Sequence, residues 1–563
     1  MIARMRGIMK RRTLRRTCRR ESMRSTIVAA LAVALCGHLI AESENDIFKR
    51  YRESLATPSA KGIQGIKERA LIIWELRSHK TARAVKLLRK VIAEDPAEDP
   101  RIYAAFALAE MGTKEAVDAL LDVLAAESAG RRTPRRYSSL SAPDENNYKY
   151  FPDAVHAALR KVNGALLLER FGETIKRGGG DAVTVLRLVC DMGVKGLSEA
   201  LGVLLEKTSK ASLLCELLPA IEIGGDEALL KKALEKALQH KDWRVRTVAG
   251  ALLDHLDADA ALAYAKKLLV EKQWRVRSAA VEGLSAVKDK RVVDLLVETY
   301  QGAEGRLLDD IHRALVVLTA QSMGNDPLAW RDWWLANRGD FKFPEKPGDP
   351  DMVSGGKRSP EPRVEAPHGR GPRTFLAPRY YGMEVRSAHI CFVLDISGSM
   401  EMRMKVEIDG KTYEGTKLEI AKGELKRCIG ALPKKCSFNI IVFETGYRAW
   451  RKKLVKASKS GKNAAYRFID EVKPGGDTNI YDPLRCAMQD ESVDTIYLLS
   501  DGSPNAGAVP TAEGILREIR RVNRVSRVRI NTIAFGEGAE VGFLKGLAHA
   551  NAGRFVDKRG RAP

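Results

Sequence analysis

The spacing of hydrophobic residues differs between two parts of the chain, and it changes near residue 386. From about residue 46 to 340 they recur at i, i+3, i+4 and i+7, for example in KTARAVKLLRKVIAE (80–94) and KEAVDALLDVLAAE (114–127), which predicts amphipathic helices. Beyond the change, short apolar runs alternate with helical patterns, and these runs are 387–394, 437–443, 494–500, 527–535 and 553–556. Nearly continuous apolar strands between helices predict a parallel sheet covered on both faces, which is an α/β doubly wound fold.

The helical part contains an internal repeat. HKDWRVRTVAGALLDHL (240–256) and EKQWRVRSAAVEGLSAV (271–287) superpose with a shift of 31 residues, and residues 99–124 form a looser copy. This pattern resembles HEAT repeats, in which helix pairs stack because one pair cannot bury its apolar face alone. The resemblance implies an α-solenoid. The arginines of each copy are interpreted as capping carbonyl groups or bridging adjacent repeats, and the tryptophans of 326–341 as the terminal cap of the array.

Length and composition divide the chain into domains. A chain of 563 residues is too long for one core, because single cores stop growing near roughly 250–300 residues. The stretch between the helical part and the predicted α/β part is rich in Pro, Gly and charged residues, which is typical of an extended linker. The predicted boundaries are 1–41 for a basic leader and signal peptide, 42–342 for the helical repeats, 343–379 for the linker and 380–563 for the α/β domain.

Three segments rich in polar residues are expected at one edge of the sheet: two directly follow predicted strands, and one is a loop before a helix. The first strand ends in DISGSM (395–400), GGDTNIYDPL (475–484) precedes a helix, and the strand at 494–500 leads into SDGSPNAG. In parallel sheets a site lies beyond the carboxyl ends of the strands. The oxygen-bearing residues expected there are Asp395, Ser397, Ser399, Thr478 and Asp501. Because hard oxygen ligands without imidazole or thiolate favour Mg²⁺, Mn²⁺ or Ca²⁺, the sequence predicts a site for one of these ions.

The order D-x-S-x-S, then Thr, then Asp, on alternating strands and helices, resembles a von Willebrand factor type A domain with a metal-ion-dependent adhesion site. The resemblance covers roughly residues 380–563. It implies that Ser397, Ser399 and Thr478 bind the ion through their hydroxyl groups. It also implies that Asp395 and Asp501 act mainly through bound water or by accepting hydrogen bonds from ligands. One position of the ion is then open to an aspartate or glutamate of a partner protein.

An insertion lies directly after the first motif. MEMRMKVEIDGKTYEG (400–415) is predicted to form a hairpin around its Asp-Gly turn, and we expect this hairpin to influence partner choice. Asp477 stands where glycine is commoner before the threonine, and it either alters the metal preference or, like Asp482, caps the following helix.

The formal charge of +23 is unevenly distributed, because residues 1–24 alone carry +9. After this basic stretch, TIVAALAVALC (26–36) and GHLIA (37–41) are typical of an export signal, with Met23 as an alternative start. The protein is therefore expected to be secreted or periplasmic, or membrane-anchored if the signal is not cleaved. Elsewhere the favoured interpretation is a solvated basic surface, and the alternative is an anionic partner bound at 131–136 and 520–529. No nucleic-acid module is recognisable, so we expect no nucleic acid as partner.

Two common catalytic motifs are missing from the sequence. HExxH and GxSxG are absent, and no histidine is placed to activate Ser397 as a nucleophile. We therefore expect a non-enzymatic, exported scaffold that binds an acidic residue of a protein partner through a divalent ion. The alternative is an assembly factor that docks through the same domain onto a larger chelatase-like or ATPase-like complex, a role that usually belongs to the cytoplasm.

Overall fold

The computed structural model of the protein describes residues 42–57, 62–128, 150–349 and 378–560, with isolated positions between 129 and 149. The predicted leader and signal peptide, the basic stretch 131–136 and most of the predicted linker lie outside these ranges. The chain forms two compact units that divide within one helix. The first unit ends at Ala119, and residues 133–147 are also assigned to it. The second unit begins at Leu120 and contains the rest of the chain.

The described residues before the linker are mainly helical, as the spacing of the apolar residues predicts. The helices are α1 Glu44–Ala56, α2 Ile63–Trp74, α3 Ala82–Glu94, α4 Glu98–Met111, α5 Lys114–Ser128, α6 Phe151–Lys161, α7 Gly164–Arg177, α8 Gly179–Met192, α9 Ser198–Lys207, α10 Ala211–Gly224, α11 Glu227–Leu238, α12 Trp243–Gly250, α13 Ala258–Leu268, α14 Trp274–Leu284, α15 Lys290–Gln301, α16 Gly305–Thr319 and α17 Pro327–Asn337. The predicted helical segments 80–94 and 114–127 correspond to α3 and α5.

A buried carboxylate links the helices of the first unit. Asp95, directly after α3, accepts hydrogen bonds from the Tyr51 hydroxyl at 2.8 Å and from Arg69 Nε at 3.0 Å. Both members of the Asp95–Arg69 pair are fully buried. Because removal of either member would leave a buried charge without this partner, the pair and the Tyr51 bond hold α1, α2 and the end of α3 together.

The two repeat copies found in the sequence become equivalent helices in the second unit. Helix α12 begins at Trp243 and α14 at Trp274. Arg246 donates to the His240 carbonyl at 2.6 Å and to Glu271 of the next copy at 2.7 Å, which confirms for this arginine both the predicted capping and the predicted bridging. The helices contact at glycines, since a Cβ at Gly283 would lie 2.3 Å from the Gly250 carbonyl oxygen.

Helix α17 closes the repeat array, as predicted from its tryptophans. Trp330 and Trp334 are buried. The Trp330 indole N–H donates to the Gly324 carbonyl at 2.9 Å, and the Trp334 indole N–H donates to Asp294 on α15 at 2.8 Å. Each indole thus satisfies its one polar atom while covering the apolar end of the array.

The part of the chain after the linker contains the predicted parallel sheet. Its strands are β3 His389–Asp395, β6 Ser437–Phe443, β7 Tyr447–Ala449, β8 Val455–Lys456, β9 Thr495–Ser500, β10 Arg529–Phe535 and β11 Phe555–Lys558, preceded by the small pair β1 Arg379–Tyr380 and β2 Met383–Glu384. The order is β11-β10-β9-β3-β6-β7, with β8 also on β6. Strands β11 to β6 are parallel, whereas β7 and β8 are antiparallel edge strands.

Helices cover both faces of the sheet. They are α18 Lys417–Ala431, α19 Lys459–Glu471, α20 Tyr481–Gln489, α21 Ala512–Ser526 and α22 Val541–Ala550. Buried residues of α18 and α19 belong to one apolar cluster, and those of α20, α21 and α22 to a second cluster on the opposite face. Strands β3, β6 and β9 contribute residues to both clusters, which is why they read as continuous apolar runs.

The predicted hairpin is present and lies packed on the domain. It consists of β4 Arg403–Ile408 and β5 Lys411–Thr416, joined by Asp409 and Gly410, both with positive φ as a tight hairpin turn requires. Alternate residues of β4, namely Met404, Val406 and Ile408, are buried in the first apolar cluster. The opposite face of β4 is exposed.

Arginines on α21 and just after it pair with acidic residues of successive repeat helices. The pairs are Arg517–Asp153, Arg521–Asp191, Arg524–Glu216, Arg527–Glu282 and Arg529–Asp310, with partners on α6, α8, α10, α14 and α16. The interpretation of 520–529 as a solvated basic surface is therefore wrong for most of its arginines. These arginines lie on the side of α21 and β10 that faces the repeats, and acidic residues of the repeats supply the opposite charge.

Asp310 is the most connected acidic residue of this interface. Its carboxylate accepts from Arg306 Nε at 2.6 Å, from Arg529 Nη2 at 2.8 Å and from the Ser278 hydroxyl at 2.7 Å. Arg306 also donates to the carbonyl of Asp494, directly before β9, at 2.8 Å. The repeats therefore hold the amino-terminal ends of two neighbouring strands of the sheet.

Candidate metal site

Two neighbouring strands end at the same point and begin the site. Strand β3 ends at Asp395, and β9, which pairs with it, ends at Ser500 just before Asp501. The loop that carries Thr478 is joined to the first motif by backbone hydrogen bonds, Gly398 N–H to the Gly476 carbonyl at 3.0 Å and Gly475 N–H to the Ile396 carbonyl at 2.9 Å. The fold thus brings the three predicted segments together at the carboxyl edge of the sheet.

The hydroxyl and carboxylate oxygens of three predicted residues are mutually in contact. The Ser399 hydroxyl donates to Asp501 Oδ1 at 2.7 Å, and the Ser397 Oγ lies 3.2 Å from Ser399 Oγ. Ser397 Oγ is also 3.5 Å from Asp501 Oδ1. These three oxygens face one another closely enough for a single cation to contact all of them.

Asp395 lies beneath this group and is completely buried. One oxygen accepts from the Ser397 backbone N–H at 2.8 Å, and the other accepts from the Ser500 hydroxyl at 2.6 Å. Burial, together with the nearby negative charge of Asp501, raises the pKa of Asp395 to about 6. Both of these effects disfavour the ionised form of Asp395.

Thr478 approaches from the adjacent loop and is buried. Its backbone N–H donates to the Asn505 side chain at 2.8 Å, and the Asn505 N–H returns a bond to the Thr478 carbonyl at 3.1 Å. Gly502 lies next to it, since a Cβ there would be in ordinary van der Waals contact with Thr478 Oγ1, at 3.5 Å. Asp477, by contrast, is exposed, and its N–H donates to the Thr445 hydroxyl at 3.0 Å.

A lysine that sequence reasoning missed completes the group. Lys417, the first residue of α18, places Nζ 2.6 Å from Asp501 Oδ2, and both side chains are buried. The hairpin between the first motif and α18 separates Lys417 from that motif in the sequence, so the spacing of residues does not indicate that the lysine lies at the site. Ser500 and Asn505 were also missed, although Ser500 directly precedes Asp501 in the sequence.

The residues fit a hard divalent ion. Among the described residues, no group of three or more His, Cys, Asp or Glu side chains is placed to hold a metal, so hydroxyl groups must complete any coordination here. Serine and threonine hydroxyls with carboxylate oxygens are ligands that Mg²⁺, Mn²⁺ and Ca²⁺ accept. One oxygen of Asp501 pairs with the Lys417 ammonium group, and the other faces the serine hydroxyls.

Comparison with known proteins identifies the domain that carries the site. The von Willebrand factor type A domain family matches residues 388–557. The protein carries a von Willebrand factor type A domain. HEAT repeats match residues 230–315, and the PBS lyase HEAT-like repeat matches residues 100–126, so repeats precede the type A domain as the sequence predicts.

Relatives of the type A domain occur in larger proteins. Human von Willebrand factor A domain-containing protein 3A is 28% identical over 181 residues, covering 31% of this chain and 14% of that protein. Inter-alpha-trypsin inhibitor heavy chain H2 from Mesocricetus auratus is 27% identical over 191 residues, covering 32% of this chain and 18% of the relative. The matches therefore span less than a fifth of these relatives.

A solved structure is similar over the same part of the chain. The von Willebrand factor type A protein from Catenulispora acidiphila matches 31% of this chain and 39% of its own, with 21% identity and a TM-score of 0.26.

Within the described ranges, no helix has the length and apolar character needed to cross a membrane.

Proposed function

We propose that this chain is an exported, non-enzymatic interaction protein. In this proposal the type A domain binds an acidic residue of a protein partner through Mg²⁺, Mn²⁺ or Ca²⁺, and the HEAT repeats form the scaffold that carries the domain. Residues Asp395, Ser397, Ser399, Thr478 and Asp501 would hold the ion. The observation that supports this most directly is the contact of Ser397, Ser399 and Asp501 oxygens at the edge of the sheet.

The chain's own residues determine how such a site meets a partner. A bound divalent ion would supply a Lewis-acidic position for a carboxylate. Three of the five proposed ligands, Ser397, Ser399 and Thr478, are hydroxyl groups, which carry no charge of their own to offset that of a cation. Gly398 is exposed and Ser399 is half-buried, so the site opens to solvent beside the first motif, whereas Asp395 and Asp501 are shielded beneath it.

Removal of the divalent ion should abolish partner binding. The purified full chain is used to capture proteins from the extracellular fraction of its host, in magnesium and again in EDTA. We expect a partner that is retained only with the ion. Carbodiimide coupling of an amine to the partner's carboxylates should abolish its capture, because the proposal requires an ionised carboxylate. Equal capture in magnesium and EDTA would contradict the proposal.

The hairpin offers a test of partner choice that leaves the ion site intact. Deleting it is unsuitable, since Met404, Val406 and Ile408 are part of the core. Arg403 is exposed at its base, one residue after Met402, whose carbonyl accepts from the Lys417 N–H at 2.9 Å. Arg403→Glu should weaken capture of an acidic partner about tenfold by introducing a like charge, with unchanged ion affinity by calorimetry.

The control for this variant is Lys405→Glu, which makes the same charge change on the same exposed face of β4 but farther from the site. An equal loss of capture in both variants would indicate a general charge effect and no local role of the hairpin base.

Export is tested separately by location: finding the protein in the cytosol with residues 23–41 still attached would favour an assembly factor.

A further inference from the structure

Lys417 is held in one position from two sides. Its backbone N–H is bonded to Met402 at the base of the hairpin, which fixes the start of α18. Its side chain passes Gly536, whose φ is +81°, and a Cβ at that glycine would come within 2.5 Å of Lys417 Cε and 2.8 Å of Nζ. The space occupied by the lysine therefore depends on a residue without a side chain.

The ammonium group and the proposed ion share one carboxylate. Asp501 Oδ2 contacts Lys417 Nζ, while Asp501 Oδ1 faces the Ser397 and Ser399 hydroxyls. A cation bound by these hydroxyls would share the Asp501 carboxylate with the ammonium group. Two positive charges that share one buried carboxylate repel each other.

We propose that Lys417 is an internal counter-ion that weakens the hold of the site on its divalent ion and leaves the loaded site with a net positive charge. This inference rests on the function proposed above. Without the lysine, the charges of Asp395, Asp501 and a divalent ion would cancel. With it, one positive charge remains, and this charge favours a partner group that is a full anion, such as a carboxylate, over a neutral amide or hydroxyl.

The test is Lys417→Met in the full chain, which keeps the volume of the side chain and removes its charge. Calorimetry with MgCl₂ and with MnCl₂ should show binding at least tenfold tighter than in the native protein. In EDTA the variant should melt at a lower temperature, because Asp501 is left buried without a counter-ion, and magnesium should raise its melting temperature more than that of the native protein.

Two further variants make the result specific. Lys426→Met makes the same change on the same helix, where the lysine pairs with the exposed Asp470, and it should leave ion affinity unchanged. Lys417→Gln retains a donor for Asp501 without charge; it should also tighten binding, and it serves if the methionine variant does not fold.

The possible outcomes separate the two proposals. Native protein that binds the ion, with equal or weaker binding in both Lys417 variants, would overturn the role of the lysine and leave the ion site intact. Absence of ion binding in the native protein and in every variant would overturn the proposed function and this inference together. Ion binding that is measurable only in the Lys417 variants would support the counter-ion role.

Discussion

Asp395→Asn should reduce the affinity of the chain for magnesium by about 10–100-fold, the usual cost of losing a residue that supports metal ligands. The metal-free protein should lose little stability. Asp395 is buried, and the negative charge of Asp501 lies near it, so its ionised form is unfavourable without a cation. Asparagine removes that charge and can still pair with the Ser397 N–H and the Ser500 hydroxyl.

Calorimetry with MgCl₂ and thermal melting in EDTA measure the two quantities. Asp470→Asn is the matched control, because it removes the same charge from an exposed position on α19. An Asp395→Asn protein that binds magnesium as tightly as the native chain would show that this carboxylate has no part in the site. A large loss of stability in EDTA would show instead that the residue serves mainly the fold.

Asp310→Ala should lower the free energy of unfolding by about 3–5 kcal/mol, as expected when one partner of a buried ion pair is removed. The change takes from Arg306 and Arg529 a carboxylate that both contact, and it leaves the Ser278 hydroxyl without that acceptor. Both arginine side chains are largely buried, so water cannot readily replace the lost partner. Chemical denaturation followed by circular dichroism would measure the effect.

The control for this variant is Asp332→Ala on α17, where the carboxylate is exposed and pairs with its neighbour Arg331. A surface pair of this kind contributes about 0–1 kcal/mol, so the control should unfold close to the native protein. Similar losses in the two variants would mean that the interface between the repeats and the sheet contributes little through Asp310.

The fold could be predicted because its elements are encoded locally. The helical spacing, the apolar runs of β3, β6 and β9, and the Asp-Gly turn each depend on neighbouring residues. The placement of Asp395, Ser397 and Ser399 beside Asp501 could also be expected, since all follow strands whose carboxyl ends meet in a parallel sheet. Whether these residues bind an ion stays a prediction.

What the sequence did not reveal depends on contacts between distant segments. Lys417 reaches Asp501 across an intervening hairpin, and Gly536 leaves the space that its side chain occupies. The arginines of 520–529 looked like a surface feature, since their acidic partners are scattered over several repeats with no common motif. Periodicity identifies which side of a helix is polar, but it does not identify what that side will meet.

The attachment of the sheet at the start of β9 and β10 has a mechanical consequence. Arg306 and Arg529 anchor the amino-terminal ends of these strands to the repeats, while Asp501 emerges from the opposite end of β9. A force that pulls a ligand at the carboxyl edge of the sheet away from the repeats would therefore act lengthwise along the strands. The hydrogen bonds that join these strands run across that direction, so such a pull would load them together in shear.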